Sequence, residues 1–120
     1  MIEIYTTYFS KLKNIPEDIT PISISLYQPF FPITSYEKLA PPESLLKEMK
    51  EGKLTITEYT ERYVSEVLDK LSPGEVVKDL YDLSGFSEKI ALVCYEKPPT
   101  FCHRHIVGAW LGDKWYKGEC

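Results

Sequence analysis

Residues 2–7 (Ile-Glu-Ile-Tyr-Thr-Thr) put Ile2 and Ile4 on one face and are rich in β-branched side chains, which predicts a first strand. A polar loop with Pro16, Glu17 and Asp18 follows. Residues 20–26 (Thr-Pro-Ile-Ser-Ile-Ser-Leu) then alternate apolar with small polar groups, the pattern of a strand with two unlike faces. Pro21 restricts that strand to an edge or places the proline near its start. Segment 27–42 carries four of the nine prolines together with Tyr27, Phe30, Phe31 and Tyr36. Proline opposes regular structure while the rings seek burial or a ligand, so the segment reads as an ordered loop across one end of the sheet.

Helical spacing takes over next. Pro42 and Glu43 open a short helix with Leu45, Leu46 and Met49 inward and Gly52 as its stop. Thr55-Ile-Thr-Glu58 matches a capping box, and Ile56, Tyr59, Tyr63, Val64, Val67, Leu68 and Leu71 recur behind it, which predicts a helix over 55–71. Ser72-Pro-Gly-Glu75 reads as a second capping box, opening a helix with Val76, Val77 and Leu80 that ends near Ser84-Gly85. Residues 89–95 contain a continuous apolar run, the mark of a central strand of a parallel sheet. After Pro98-Pro99 a last helix runs from about Cys102 to Leu111 with His103, Ile106, Val107 and Trp110 on one face. Trp115-Tyr116-Lys117 completes the chain as a short strand. Strands separated by helices predict an α/β fold: one small three-layer domain over 1–120, with a mainly parallel sheet flanked by helices in Rossmann-like or flavodoxin-like layering.

Composition narrows this picture only slightly. A chain of 120 residues buries about two-thirds of its unfolded surface and needs neither disulfide nor metal to fold. The formal charge of −4 argues against non-specific DNA coating. The acidic excess lies in 43–82, where 6 basic groups face 10 acidic ones, so an anionic ligand is expected nearer the C-terminal third. No run is apolar enough for a membrane span, and the opening residues carry no secretory pattern. Three cysteines, an odd number, make a reducing cytoplasm the simpler expected setting.

The glycines exclude more. The first of six is Gly52, so no glycine-rich phosphate loop follows either early strand. What remains is Cys94-Tyr-Glu96 at the end of the central strand and Cys102-His103-Arg104-His105 opening the last helix. Ligands of open parallel sheets bind beyond the strand ends, and a helix amino end favours anions and thiolates. Cys102 and Cys94 are therefore candidate thiols and Glu96 a candidate acid or base. His103 and Arg104 are candidate anion ligands, with Tyr27, Phe30 and Phe31 placed to stack on a base. Plainer roles stand beside these: Cys94 as inert core, His103 as a cap under the sheet, Arg104 as a surface ion-pair residue, the loop rings as a lid on the core. The C-x7-C-H-x-H spacing matches no standard zinc site, and successive helical residues diverge by about 100°, so neither metal nor cofactor is expected. A Cys94–Cys102 disulfide is sterically open but requires an oxidant. Cys120 reads as incidental.

Leu92-Val-Cys94-Tyr-Glu96-Lys followed by Cys102-His103-Arg104 resembles the C-terminal signature of the DUF488 family of uncharacterised proteins. Members carry a strand ending in Cys-x-Glu, a short loop, and Cys-His-Arg opening a helix. Ile4-Tyr5-Thr6, Leu39-Ala-Pro41 with Leu46, and Glu58-Tyr59 with Tyr63 resemble other parts of the family. Two departures stand out. Thr7-Tyr8-Phe9 replaces a glycine common after the first strand, and Ser23-Ile24-Ser25 replaces an Asp-Val-Arg common at the end of the second. An anion held by that arginine would here depend on Lys11, Lys13 or the aromatic loop.

Three functional expectations follow. The first is a site that binds a phosphate-bearing small molecule or nucleotide, with thiol chemistry at Cys102. The second is a non-enzymatic interaction module using the 27–42 loop, with a structural cysteine cluster. The third is a redox or sulfur-carrying protein using Cys94 and Cys102. No membrane or strong nucleic-acid partner is indicated.

Overall fold

The computed structural model describes residues 1–95 and 101–120. Four strands form one sheet, β1 (Glu3–Tyr8), β2 (Thr20–Ser23), β3 (Lys89–Cys94) and β4 (Tyr116–Glu119), in the order β2-β3-β1-β4. Every pairing is parallel. Among the described residues four α-helices accompany it: α1 (Glu43–Lys50), α2 (Ile56–Glu66), α3 (Pro73–Leu83) and α4 (His103–Leu111).

The topology explains where the core lies. The β2-to-β3 connection, carrying α1 to α3, and the β3-to-β4 connection, carrying α4, cross the sheet in the same direction. Right-handed crossovers in one direction place their helices on one face. The register agrees. Ile4 pairs with Ile90, Ile22 with Leu92, and these four share a face because side chains alternate along a strand. All four join one buried cluster with Leu45, Tyr59, Tyr63, Val76, Leu80 and Val107 from the helices. The β1-to-β2 connection runs the other way, through a 3-10 segment at Phe9–Asn14, and belongs on the opposite face. Between its two neighbours β3 is covered on both sides, with Ile90 through Val93 fully buried, as its unbroken apolar run requires.

Local signals account for most of the boundaries. Thr55 Oγ1 accepts from the Glu58 N–H at 3.1 Å, and Glu58 Oε1 accepts from the Thr55 N–H at 2.9 Å, completing the capping box. The helix behind it is shorter than its spacing predicts. It ends at Glu66, and Val67 turns the chain into a 3-10 turn over Leu68–Lys70. Val67 and Leu68 are both buried at this turn. The second expected capping box does not form. Ser72 caps α3 without a side-chain bond, and Pro73 at the first position has already removed one donor that would need capping.

β2 stops at Ser23, three residues earlier than the alternation suggests, but its direction continues. The Ile24 N–H donates to the Val93 carbonyl at 3.0 Å, while Ser23 exchanges bonds with Thr34 and Tyr36 of the proline-rich segment. That segment is thus tied to the sheet edge by backbone hydrogen bonds, and the Tyr63 hydroxyl donates to the Leu39 carbonyl from below. The cluster at the sheet end is positioned by these ties and by Cys102, which precedes α4 as its N-cap.

Candidate functional site

Past the carboxyl ends of β2 and β3 lies a cavity of about 610 Å³. Its wall is largely apolar and aromatic. Tyr27 comes from the loop, Met49 and Lys50 from α1, Tyr59 from α2, and Phe101 from the approach to α4. Tyr59 and Phe101 meet edge to face at 5.5 Å. On the sheet side the wall is made by Cys94, Cys102 and His103. This is the ligand position expected of an open parallel sheet.

The two cysteine sulfurs are joined as a disulfide, closing the pairing that the sequence leaves open. Cys94 ends β3 and Cys102 caps α4, so strand and helix bring the two sulfurs together. His103 is almost fully buried beside them. Its Nε2 stands 2.8 Å from the Ile24 carbonyl oxygen, which only accepts, so Nε2 carries the proton. The other nitrogen, Nδ1, faces Cys102 Sγ at 3.5 Å. Burial, reinforced by the nearby Arg104 charge and by His105, lowers the His103 pKa to about 4 against the pull of the Ile24 bond. The ring is neutral near pH 7, and Nδ1 then offers a lone pair to the sulfur side.

Arg104 has no surface exposure. Its Nη1 donates to Cys94 Sγ at 3.0 Å, and its Nε and Nη2 donate to the two carboxylate oxygens of Glu119 at 3.1 and 2.7 Å. The guanidinium also lies over the Tyr8 ring. Burial pushes the Glu119 carboxyl up, but hydrogen bonds from Arg104 and Thr6 outweigh it and hold the group below the usual range. Thr6 receives support in turn from Tyr116, whose hydroxyl lies 2.7 Å from its Oγ1. Arg104 is therefore an ion-pair residue, as its plainer reading has it, but an interior one and not a surface one.

The candidate residues separate into groups. Cys94, Cys102, His103 and Tyr27 converge on the cavity. Arg104 is outside its wall and touches it through the Cys94 sulfur. Phe31 packs against Phe9 and Phe30 against Phe31, and neither lines the cavity. Phe30 is fully exposed. Glu96 lies outside the described residues. The sequence reading passed over Tyr59, Lys50 and Phe101 as wall residues, and Glu119 as the partner of Arg104. Tyr59 is hidden in a helical stripe that reads as core. Glu119 becomes visible only once β4 is docked beside β1.

The expectation about metal spacing also changes. Divergence of neighbouring helical side chains limits ligands drawn from one helix, but here one sulfur comes from a strand. Cys94 Sγ, Cys102 Sγ and a ring nitrogen of His103 all lie within 4.8 Å of one another.

Among the described residues no helix is long and apolar enough to cross a membrane. Comparison with curated proteins and with solved structures yields no match. A family model does match, over residues 32–115: DUF488-N3a, described as the active DUF488-N3 subclade. That span covers more than half of the chain and takes in Cys94, Cys102, His103 and Arg104, the residues on which the resemblance rests. The chain therefore belongs to the DUF488 family.

Proposed function

We propose that the cavity binds a small molecule bearing an aromatic ring and an anionic group, of the nucleotide class, with the Cys94/Cys102 pair as the chemically responsive part of its wall. The observation that carries this reading is the mixed lining of the cavity. Tyr27, Tyr59 and Phe101 give it aromatic rings. Lys50 and the amino end of α4, which no side chain caps, offer positive charge. Arg104 supports the sulfur side, where, once the disulfide is reduced, its guanidinium favours negative charge on Cys94. It takes no direct part in holding the anion, a role left to Lys50 and the helix.

The test is calorimetric titration with nucleoside monophosphates and, separately, with inorganic phosphate. A ring stacked on an aromatic side chain is worth about 1–3 kcal/mol by alanine substitution, so Tyr27→Ala should weaken nucleotide binding by about fivefold or more. Lys50→Ala should weaken both ligands. Failure of every nucleoside monophosphate to bind, or unchanged affinity in both variants, overturns the proposal.

One observation favours a second reading, a protein-interaction surface on the 27–42 loop. Phe30 is 101% exposed, a large ring whose aromatic neighbour among the described residues is Phe31. Phe30→Ala would then abolish capture of a partner while leaving thermal unfolding unchanged. Equal capture by wild type and variant counts against this reading.

A further inference from the structure

We propose that the dithiol form of this protein is a Zn²⁺ site, built by Cys94 Sγ, Cys102 Sγ and His103 Nδ1, and that the disulfide is its metal-free alternative.

The geometry points there in three ways. First, zinc bonds thiolate sulfur at about 2.3 Å and imidazole nitrogen at about 2.0–2.1 Å, and a tetrahedral angle between them sets those two atoms about 3.5 Å apart. Cys102 Sγ and His103 Nδ1 are 3.5 Å apart. Second, the imidazole is oriented as a ligand ring is. A metal-bound histidine typically donates its other N–H to a carbonyl or carboxylate, which fixes tautomer and direction. Here Nε2–H is spent on the Ile24 carbonyl at 2.8 Å, leaving the Nδ1 lone pair toward the sulfurs. Third, Arg104 supplies an outer hydrogen bond to Cys94 Sγ at 3.0 Å, and Glu119 balances its charge. Two thiolates with Zn²⁺ are then neutral as a unit, beside a neutral ion pair.

The two states exclude one another. Disulfide sulfurs carry no thiolate charge and are poor zinc ligands. An external dithiol supplies two electrons and two protons, breaks the S–S bond and leaves two thiols, becoming a disulfide itself. Zn²⁺ then displaces one proton from each thiol. All three ligand residues also line the cavity, so the fourth position of the ion faces it. Two cysteines, one histidine and an open position form a ligand set used by catalytic zinc. The inference does not rest on the nucleotide reading, since its probe is the metal alone.

The experiment uses the full chain, reduced anaerobically with dithiothreitol, freed of reductant and titrated with Co²⁺. Expected are one Co²⁺ per chain, a sulfur-to-cobalt charge-transfer band, tetrahedral d–d bands, and their loss on adding Zn²⁺. Protein with its disulfide intact should show none of these. Loss of an outer-shell partner costs about 10- to 100-fold in metal affinity, so loss of a ligand in Cys94→Ser or Cys102→Ser should cost about 100-fold or more. Cys120→Ser should change nothing. His103→Gln also removes the bond to Ile24, so its fold is checked by circular dichroism, and the two serine variants decide the matter if it fails to fold. Absence of the bands in folded, reduced protein, their survival in both serine variants, or equal binding by the oxidised form overturns the proposal.

Discussion

Arg104 and Glu119 form a two-point ion pair in which the guanidinium is completely buried and the carboxylate side chain is 26% exposed. The pair joins the first turn of α4 to the edge strand β4, residues fifteen positions apart in the chain. Removing one partner of a buried pair costs about 3–5 kcal/mol, because the other charge is left uncompensated. Glu119→Ala should fall at the low end of that range, about 3 kcal/mol, since the carboxylate keeps some water and Arg104 keeps its contact with Cys94. Urea unfolding measures the change. A loss below about 1 kcal/mol would mean that the pair does not hold α4 to the sheet.

Acid should destabilise the fold earlier than carboxylate titration alone predicts. His103 has a folded pKa of about 4, against about 6.5 in the unfolded chain. Below about pH 6.5 the unfolded chain takes up a proton that the folded one refuses, so stability falls from there toward pH 4 and is flat above. The loss over that window is on the order of 3 kcal/mol for a group this buried. Glu119, held below its ordinary range, adds a loss in the same direction as pH falls further. Urea midpoints between pH 8 and 4 test the window, and the His103 ring resonances should not titrate above about pH 5. Constant midpoints from pH 7 to 5 would contradict the burial argument.

Gly108 should resist enlargement. A Cβ on it would lie 2.5–2.8 Å from the Tyr116 ring, inside contact distance. That ring cannot swing away freely, because its hydroxyl is bonded to Thr6. Gly108→Ala gains about 1 kcal/mol of helix propensity, but overpacking costs about 1–3 kcal/mol. The expected net effect is destabilisation, together with a changed Tyr116 near-ultraviolet signal. Gly108→Ala with Tyr116→Leu should recover stability if the clash is the cause.

These sites differ in how far the sequence reveals them. The unbroken apolar run of β3 and the reciprocal Thr55 and Glu58 signals are local properties, and the structure follows both. Cys94, Cys102 and His103 were also legible as one cluster, because a strand end and a helix start separated by a short loop must lie together. The role of Arg104 was not legible. On helical spacing it sits next to the expected inward face of His103, Ile106, Val107 and Trp110, and a charged residue there reads as solvated. What buries it is a carboxylate delivered by β4, whose docking beside β1 is a non-local pairing that no local pattern encodes. The break at Val67 was not legible either. Helical spacing continues through Leu71, and nothing in the local pattern marks the change from α2 to the 3-10 turn over Leu68–Lys70.

Thiol accessibility offers the last test. Cys120 is the free cysteine, half-buried, and burial raises its pKa above the ordinary thiol value. Native, unreduced protein should therefore incorporate one equivalent of iodoacetamide, slowly at neutral pH and faster at alkaline pH as the thiolate forms. Peptide mapping should place the label on Cys120. After reduction, Cys94 and Cys102 become reagents as well, but they are 1% and 6% exposed and open onto the cavity wall. Their labelling should be limited by access, so a ligand filling the cavity should slow them while leaving Cys120 unaffected. Three equivalents taken up without reduction would show that the pair is not joined. Equal protection of all three thiols by a cavity ligand would show that access to Cys94 and Cys102 is not through the cavity.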